Sequence, residues 1–413
     1  MQTVAETSEA ELGRSPDVSD RTEFGVPRRL RLAFICGGDP LNVRTWSGTP
    51  FHMVEALRAH ADIVEIVRRP WPSWFDLPRR IILKLSGGRY DPYWSRFWTG
   101  IGGRATVKQL EQTPCDAVVA VAVTPIAARL AEKMPTVFVS DATFFVMADY
   151  NINFQRLSPS VKKSAMQLEG MAIRGAVIAT FPSLWAQSSA LEHFDAVGDT
   201  TFQIPWGANL EARATTPTED RPLRPWRLLF VGVDWYGKGG DILLEAFEML
   251  RARGFEVELD IVGCAPSDTP PVIAGVTFHG FISKNTPEGR DRLEGLFRSA
   301  HLFVLPTRFD AFPTVIAESA SYGLPTISYR TGGLPSNVLH RQTGILIDEG
   351  LGGDAFADAI IELMSSTELY NDMANAALRF SRDELNWDSW ARQMVANITM
   401  GLERRTVAVS AKT

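Results

Sequence analysis

The chain has 413 residues, 45% hydrophobic and 22% charged, with a formal net charge of −6. That length predicts two or three domains, and the apolar share is ordinary for a globular protein with a substantial core. No run of eighteen apolar residues occurs, so no segment reads as a membrane-spanning helix. Residues 1–27 are polar and acidic, lack the apolar centre of an export signal, and read as a disordered tail. Cys36, Cys115 and Cys264 lie far apart without metal-ligand spacing. They read as small core residues in a reducing compartment, which predicts a cytoplasmic protein.

Taken in chain order, Arg31–Cys36 predicts a strand that ends at Gly37-Gly38. Trp46-Ser47-Gly48-Thr49 then leads into a helical pattern through Met53, Val54 and Leu57, with Thr49 as N-cap and Pro50 at the first helical position. Strand patterns recur at 63–67, 116–123, 136–140, 177–181 and 201–204, with helices near 126–133 and 160–175. These form a first domain, 28–205, in which strands alternating with helices predict a parallel sheet. Within it, 68–104 carries Trp71, Trp74, Trp94 and Trp98 among basic residues that include Arg79, Arg80, Lys84 and Arg96, against only Asp76 and Asp91. Tryptophan with arginine suits contact with an anionic membrane, stacking on a sugar acceptor, or a surface insertion whose rings enter a core. No nucleic-acid-binding module is present, so nucleic acid is not an expected partner.

Pro205–Pro225 reads as a linker, and a second alternation follows. Strands are predicted at 226–233, 257–262, 276–278, 301–305 and 326–328, and helices at 240–253, 287–299, 314–322 and 354–364. This defines a second domain, 206–385. Asn386-Trp387-Asp388-Ser389-Trp390 opens a last segment, 386–413, with an amphipathic run to about 404. Charge differs between the halves: 28–205 holds 20 Lys+Arg against 15 Asp+Glu, and 206–413 holds 20 against 27. A basic front half could face an anionic lipid or acceptor.

Several constellations carry chemistry. Asp310 and Glu318 stand eight positions apart, separated by a bend at Pro313 and an apolar helical run. A strand, a loop holding Asp310 and a helix carrying Glu318 make the kind of turn where parallel sheets bind ligands. The free N–H groups near Phe312, Pro313 and Thr314 suit a phosphate. Glu318, one turn further in, suits sugar hydroxyls. In Phe230–Gly240 a strand runs into a glycine loop whose Lys238 supplies a point charge for a diphosphate. Gly48 permits close backbone approach in the front loop. Asp141 ends a strand, where it either orients an acceptor hydroxyl or caps the next segment. His52, near the start of the first helix, reads as structural.

At Asp310-x7-Glu318, Gly323-Leu324-Pro325 and Thr331-Gly332-Gly333 the chain resembles the retaining glycosyltransferases of family 4 (group 1) type. The resemblance implies an α/β chain of two Rossmann-like parallel-sheet domains facing a cleft, the GT-B fold. It also implies a last helix crossing back to the first domain. It implies a nucleotide-sugar donor, an acceptor hydroxyl on a sugar, lipid-linked or other molecule, net retention, and neither metal nor cofactor. Lys238 would contact the donor phosphates, Glu318 the donor hydroxyls and Asp310 the donor sugar. The first acid of the family's pair is usually Glu, and an Arg usually precedes the Lys-Gly element. Here Val233-Asp234 stands there, which leaves Lys238 alone or Arg308 or another basic group as substitute. The competing readings are a sugar-nucleotide epimerase of the same fold and an inactive nucleotide-binding partner.

Overall fold

A computed structural model describes residues 28–150, 152–210 and 224–410. The expected tail, 1–27, and most of the expected linker lie outside the described residues.

The front domain runs β1 (Arg31–Cys36), α1 (Thr49–His60), β2 (Asp62–Val67), α2 (Ser73–Leu85), α3 (Arg96–Gly102), α4 (Arg104–Glu111), β3 (Ala117–Val121), α5 (Thr124–Ala131) and β4 (Thr136–Val139). It continues through α6 (Phe144–Tyr150), α7 (Ile152–Gln155), α8 (Pro159–Gly175), β5 (Ile178–Phe181), α9 (Leu184–His193) and β6 (Thr201–Gln203). The rear domain runs β7 (Trp226–Val231), α10 (Gly240–Ala252), β8 (Val257–Val262), β9 (Val276–Gly280), α11 (Pro287–Ser299), β10 (Leu302–Leu305) and α12 (Thr314–Ser321). Then come β11 (Thr326–Tyr329), β12 (Gly344–Ile347), α13 (Gly353–Met364), α14 (Thr367–Asp383) and α15 (Trp387–Ser410).

Each domain holds a six-stranded parallel sheet, ordered β2-β1-β3-β4-β5-β6 in front and β12-β11-β10-β7-β8-β9 behind. Both sheets are covered on both faces, which is why their strands read as unbroken apolar runs. In β1, Leu32, Phe34 and Cys36 enter one core while Ala33 and Ile35 enter the other. α15 completes the first of these cores: Trp387, Trp390, Met394 and Ile398 pack with Leu32, Phe34 and Val119 of the front domain. Strand order reverses between β1 and β3 in front and between β7 and β10 behind. Loops diverge at such points and leave a crevice beyond the strands' carboxyl ends.

The chain crosses between domains twice, and the crossings touch. A Cβ on Gly207 would lie 2.4 Å from the backbone nitrogen of Trp387 and 2.7 Å from the carbonyl carbon of Asn386.

Candidate active site in the cleft

A cavity of about 930 Å³ opens between the domains at the two switch points. Arg44, Trp46, Ser47, Thr49 and Asp141 line it from the front. Gly232, Lys238, Lys284, Asp310, Phe312, Pro313, Thr314 and Glu318 line it from the rear.

The loop from β7 to α10 places Lys238. Asp234 accepts a hydrogen bond from Gly237 N at 3.0 Å, and its carbonyl accepts from Lys238 N at 2.9 Å. The acid standing where the resemblance expects an Arg therefore folds the loop on itself. Gly239 sits at φ 75°, and a Cβ there would come within 2.0 Å of the Pro306 carbonyl oxygen. The Lys-Gly pair is thus pressed against the end of β10, where only glycine fits. Lys238 Nζ reaches Asp310 Oδ2 at 2.5 Å.

Asp310 lies on the loop after β10, and a front-domain residue holds it. Asp310 N donates to the Tyr150 hydroxyl at 2.8 Å, and that hydroxyl also lies 3.0 Å from Thr331 Oγ1. The Tyr150 ring packs between Trp185 and Phe309. α12 then begins at Thr314 with Pro313 as N-cap, and among the described residues no side chain caps its first N–H groups. Those donors are open to an anion at the mouth of the helix. Glu318 is buried one turn along, and Lys284 Nζ donates to its Oε1 at 2.7 Å.

Arg308 is engaged away from the cavity. Its guanidinium pairs with both Asp241 oxygens, at 2.8 and 2.7 Å, stacks over Tyr236 and does not line the cavity. Lys284 places a second ammonium in the cavity wall. The sequence signal for it was its place in the loop between β9 and α11, at a strand's carboxyl end.

The front loop is strained: Trp46 and Ser47 have φ of 46° and 56°, and Gly48 has 89°. Such backbone persists only where its surroundings fix it. Here Asn209 does so, donating through Nδ2 to the Ser47 carbonyl at 3.1 Å and to Thr49 Oγ1 at 3.2 Å. The Thr49 hydroxyl is therefore engaged with Asn209, and Gly48, not Thr49, is the N-cap of α1. Gly48 shapes the loop without lining the cavity. His52 stacks parallel to Trp387, and burial lowers its pKa to about 4.

Asp141 faces the cavity from the end of β4, and burial raises its pKa to about 6 against the pull of its own N–H and that of Ala142. It does not meet the first turn of α6. That turn is met by Glu169 of α8, whose Oε2 accepts from Phe144 N at 2.5 Å. Glu169 is fully enclosed, and burial, with Asp141 adding repulsion, raises its pKa to about 8.

Residues 225–366 match the family model described as glycosyl transferases group 1. The match covers most of the rear domain. A D-inositol 3-phosphate glycosyltransferase from an Arthrobacter species is 28% identical over 162 residues, 38% of each chain. A GDP-mannose-dependent alpha-(1-6)-phosphatidylinositol monomannoside mannosyltransferase from Mycolicibacterium smegmatis is 28% identical over 219 residues, 50% of this chain and 56% of the relative. The chain spans about half the length, or less, of the curated relatives it matches. Among solved structures, sucrose-phosphate synthase from Thermosynechococcus elongatus superposes with a TM-score of 0.64 at 16% identity, over 92% of this chain and all of the other. Anabaena HepE in complex with UDP and glucose gives 0.62 at 14%, over 90% of this chain and all of the other. The fold is GT-B. The matched segment holds Lys238, Lys284, Asp310, Thr314 and Glu318, while the front domain contributes Asp141, Tyr150 and the strained loop.

Proposed function

We propose that this chain is a cytoplasmic glycosyltransferase that moves a sugar from a nucleotide-sugar donor to an acceptor hydroxyl, with retention and without a metal. One observation carries the reading: a single interdomain cavity unites two ammonium groups, a free helix N-terminus and three acids. Cleaving the sugar–phosphate bond builds negative charge on the departing diphosphate. Lys238 and the first N–H groups of α12 stabilise that charge, in a crevice where each contact is stronger than in water. A cation pair of protein origin is the reason to expect no metal requirement. Glu318, oriented by Lys284, holds donor hydroxyls. Asp310 binds the donor sugar, and Asp141 orients the acceptor from the opposite wall. The relatives named for inositol phosphate and phosphatidylinositol mannoside favour a polyol or glycolipid acceptor, and an anionic membrane met through 68–104 would present a lipid-linked one.

The test is a panel of UDP- and GDP-linked sugars screened by thermal shift, then labelled-donor transfer to inositol phosphate and glycolipid acceptors with product stereochemistry read by NMR. A stabilising donor and an acceptor-dependent product of retained configuration are expected. A changed sugar nucleotide formed without acceptor would mean an epimerase, and tight binding without turnover would mean an inactive partner.

A further inference from the structure

The structure relocates the surface work of residues 68–104. Trp71 and Trp94 are buried, packed on Phe75 and Phe144. Arg79 is held by both oxygens of Asp91 at 2.8 and 2.9 Å, and Arg68 by Asp39. Trp71, Trp94 and Arg79 build the domain, and the exposed Arg68 is paired.

What is offered is apolar. Along α2, Trp74, Leu77, Ile81 and Leu85 are exposed, Leu77 at 65% and Leu85 at 83%. Their spacing of three, four and four places them in one stripe, opposite the buried Phe75. The end of α3 meets α2 on its buried side, where a Cβ on Gly102 would touch the Phe75 and Trp71 rings at 3.0 and 3.2 Å. α3 adds Phe97, 67% exposed, and Ile101, one turn on. Exposed leucine, isoleucine and aromatic side chains gathered on two neighbouring segments of the chain mark an interaction surface.

Cations border this ridge. Arg80 and Lys84 flank the α2 stripe, and Arg96 and Arg104 bracket α3. Among the described residues, no acid pairs with any of the four.

We propose that this face docks on an anionic lipid bilayer, with Trp74, Leu77, Ile81, Leu85, Phe97 and Ile101 entering the headgroup–acyl boundary and the four cations meeting lipid phosphates. Apolar side chains flanked by Lys and Arg on a surface helix suit that boundary. A second copy of the chain is the poorer occupant. A two-fold contact would turn the same cationic border against itself, whereas an anionic surface neutralises it.

The experiment is sedimentation of the full chain with phosphatidylcholine vesicles, with and without phosphatidylglycerol. Vesicle binding needs neither donor nor acceptor, so it stands apart from the transferase reading. The chain is expected to pellet with the mixed vesicles and to be released as salt shortens electrostatic reach from about 10 Å to about 3 Å. The double variant Leu77→Asp/Ile81→Asp should bind at least about tenfold less, Arg80→Gln/Lys84→Gln should lose the preference for phosphatidylglycerol, and Val272→Asp on the exposed rear surface should pellet like the parent. All these side chains are solvent-facing, and circular dichroism checks that each variant is folded. The proposal is overturned if the parent stays in the supernatant, or if Leu77→Asp/Ile81→Asp pellets as well as the parent. It is also overturned if analytical ultracentrifugation shows a dimer that this double variant splits, because the face then belongs to a second copy.

Discussion

Lys238 and Asp310 lie 2.5 Å apart, so a diphosphate that takes Lys238 competes with a carboxylate of the same domain. The ammonium is held in register by that acid and by a loop that Asp234 folds. Lys238→Ala is expected to lower turnover by a factor of about 10²–10³ with the melting temperature little changed; steady-state kinetics beside a thermal melt checks both. Glu169 gives a second prediction at this scale. Burial keeps it protonated up to about pH 8, whereas an unfolded Glu ionises near 4.5. The native state therefore binds more protons across that window. The stability this brings is full below the lower value and is lost as pH rises through the upper one, by about 1.4 kcal/mol per pH unit at most. Glu169→Gln keeps an oxygen for Phe144 N and removes the titration, so its melting temperature should fall less than the parent's between pH 5 and 8. Equal slopes would exclude the assignment. That Asp310, Glu318 and Lys238 share one cavity was legible because strand, loop and helix follow one another in order around them. Glu169 left a fainter trace, an acid between Ala165 and Ala172-Ile173 on the inward stripe of a helix. Tyr150 left none, because its partner lies 160 positions away.

Among the elements, the alternation of strand and helix was readable because both sheets bury both faces, which leaves uninterrupted apolar runs. The helices α2, α3 and α4 were not. In α2 and α3 apolar residues point outward as well as inward, which blurs the one-sided period of a packed helix, and α4 turns only Val107 and Leu110 inward among its larger apolar residues. α14 and β12 were also missed, the latter a four-residue strand with no polar alternation. The contact that matters most between elements joins the end of α6 to the loop after β10. Tyr150 accepts from Asp310 N there, and two aromatic rings hold it. Removing the hydroxyl leaves the ring packed and unties the loop. Tyr150→Phe should raise the KM for donor several-fold while kcat falls less, since it loosens how Asp310 is placed without deleting a charge. A drop in kcat alone would contradict that role.

At the scale of the whole molecule, the cleft exists because two parallel sheets turn their carboxyl ends toward each other and α15 returns to the front core. Trp390 is wholly enclosed in that core, so the last helix is part of the front domain's interior. The pattern from Asn386 onward announced this helix. Nothing in the sequence announced that the two crossings lie side by side at Gly207. A methyl group there would meet backbone, which has little room to yield. Gly207→Ala is therefore expected to lower stability by about 1–3 kcal/mol, read as a fall in melting temperature; an unchanged melt would show that the crossings can part. Because both connections touch at one spot, the spacing between the two halves of the molecule is fixed there, as at the spine of a book. The width of the gap at the far edge is then set beside a residue that touches no substrate. A small change at the binding would move every group on one page relative to those on the other.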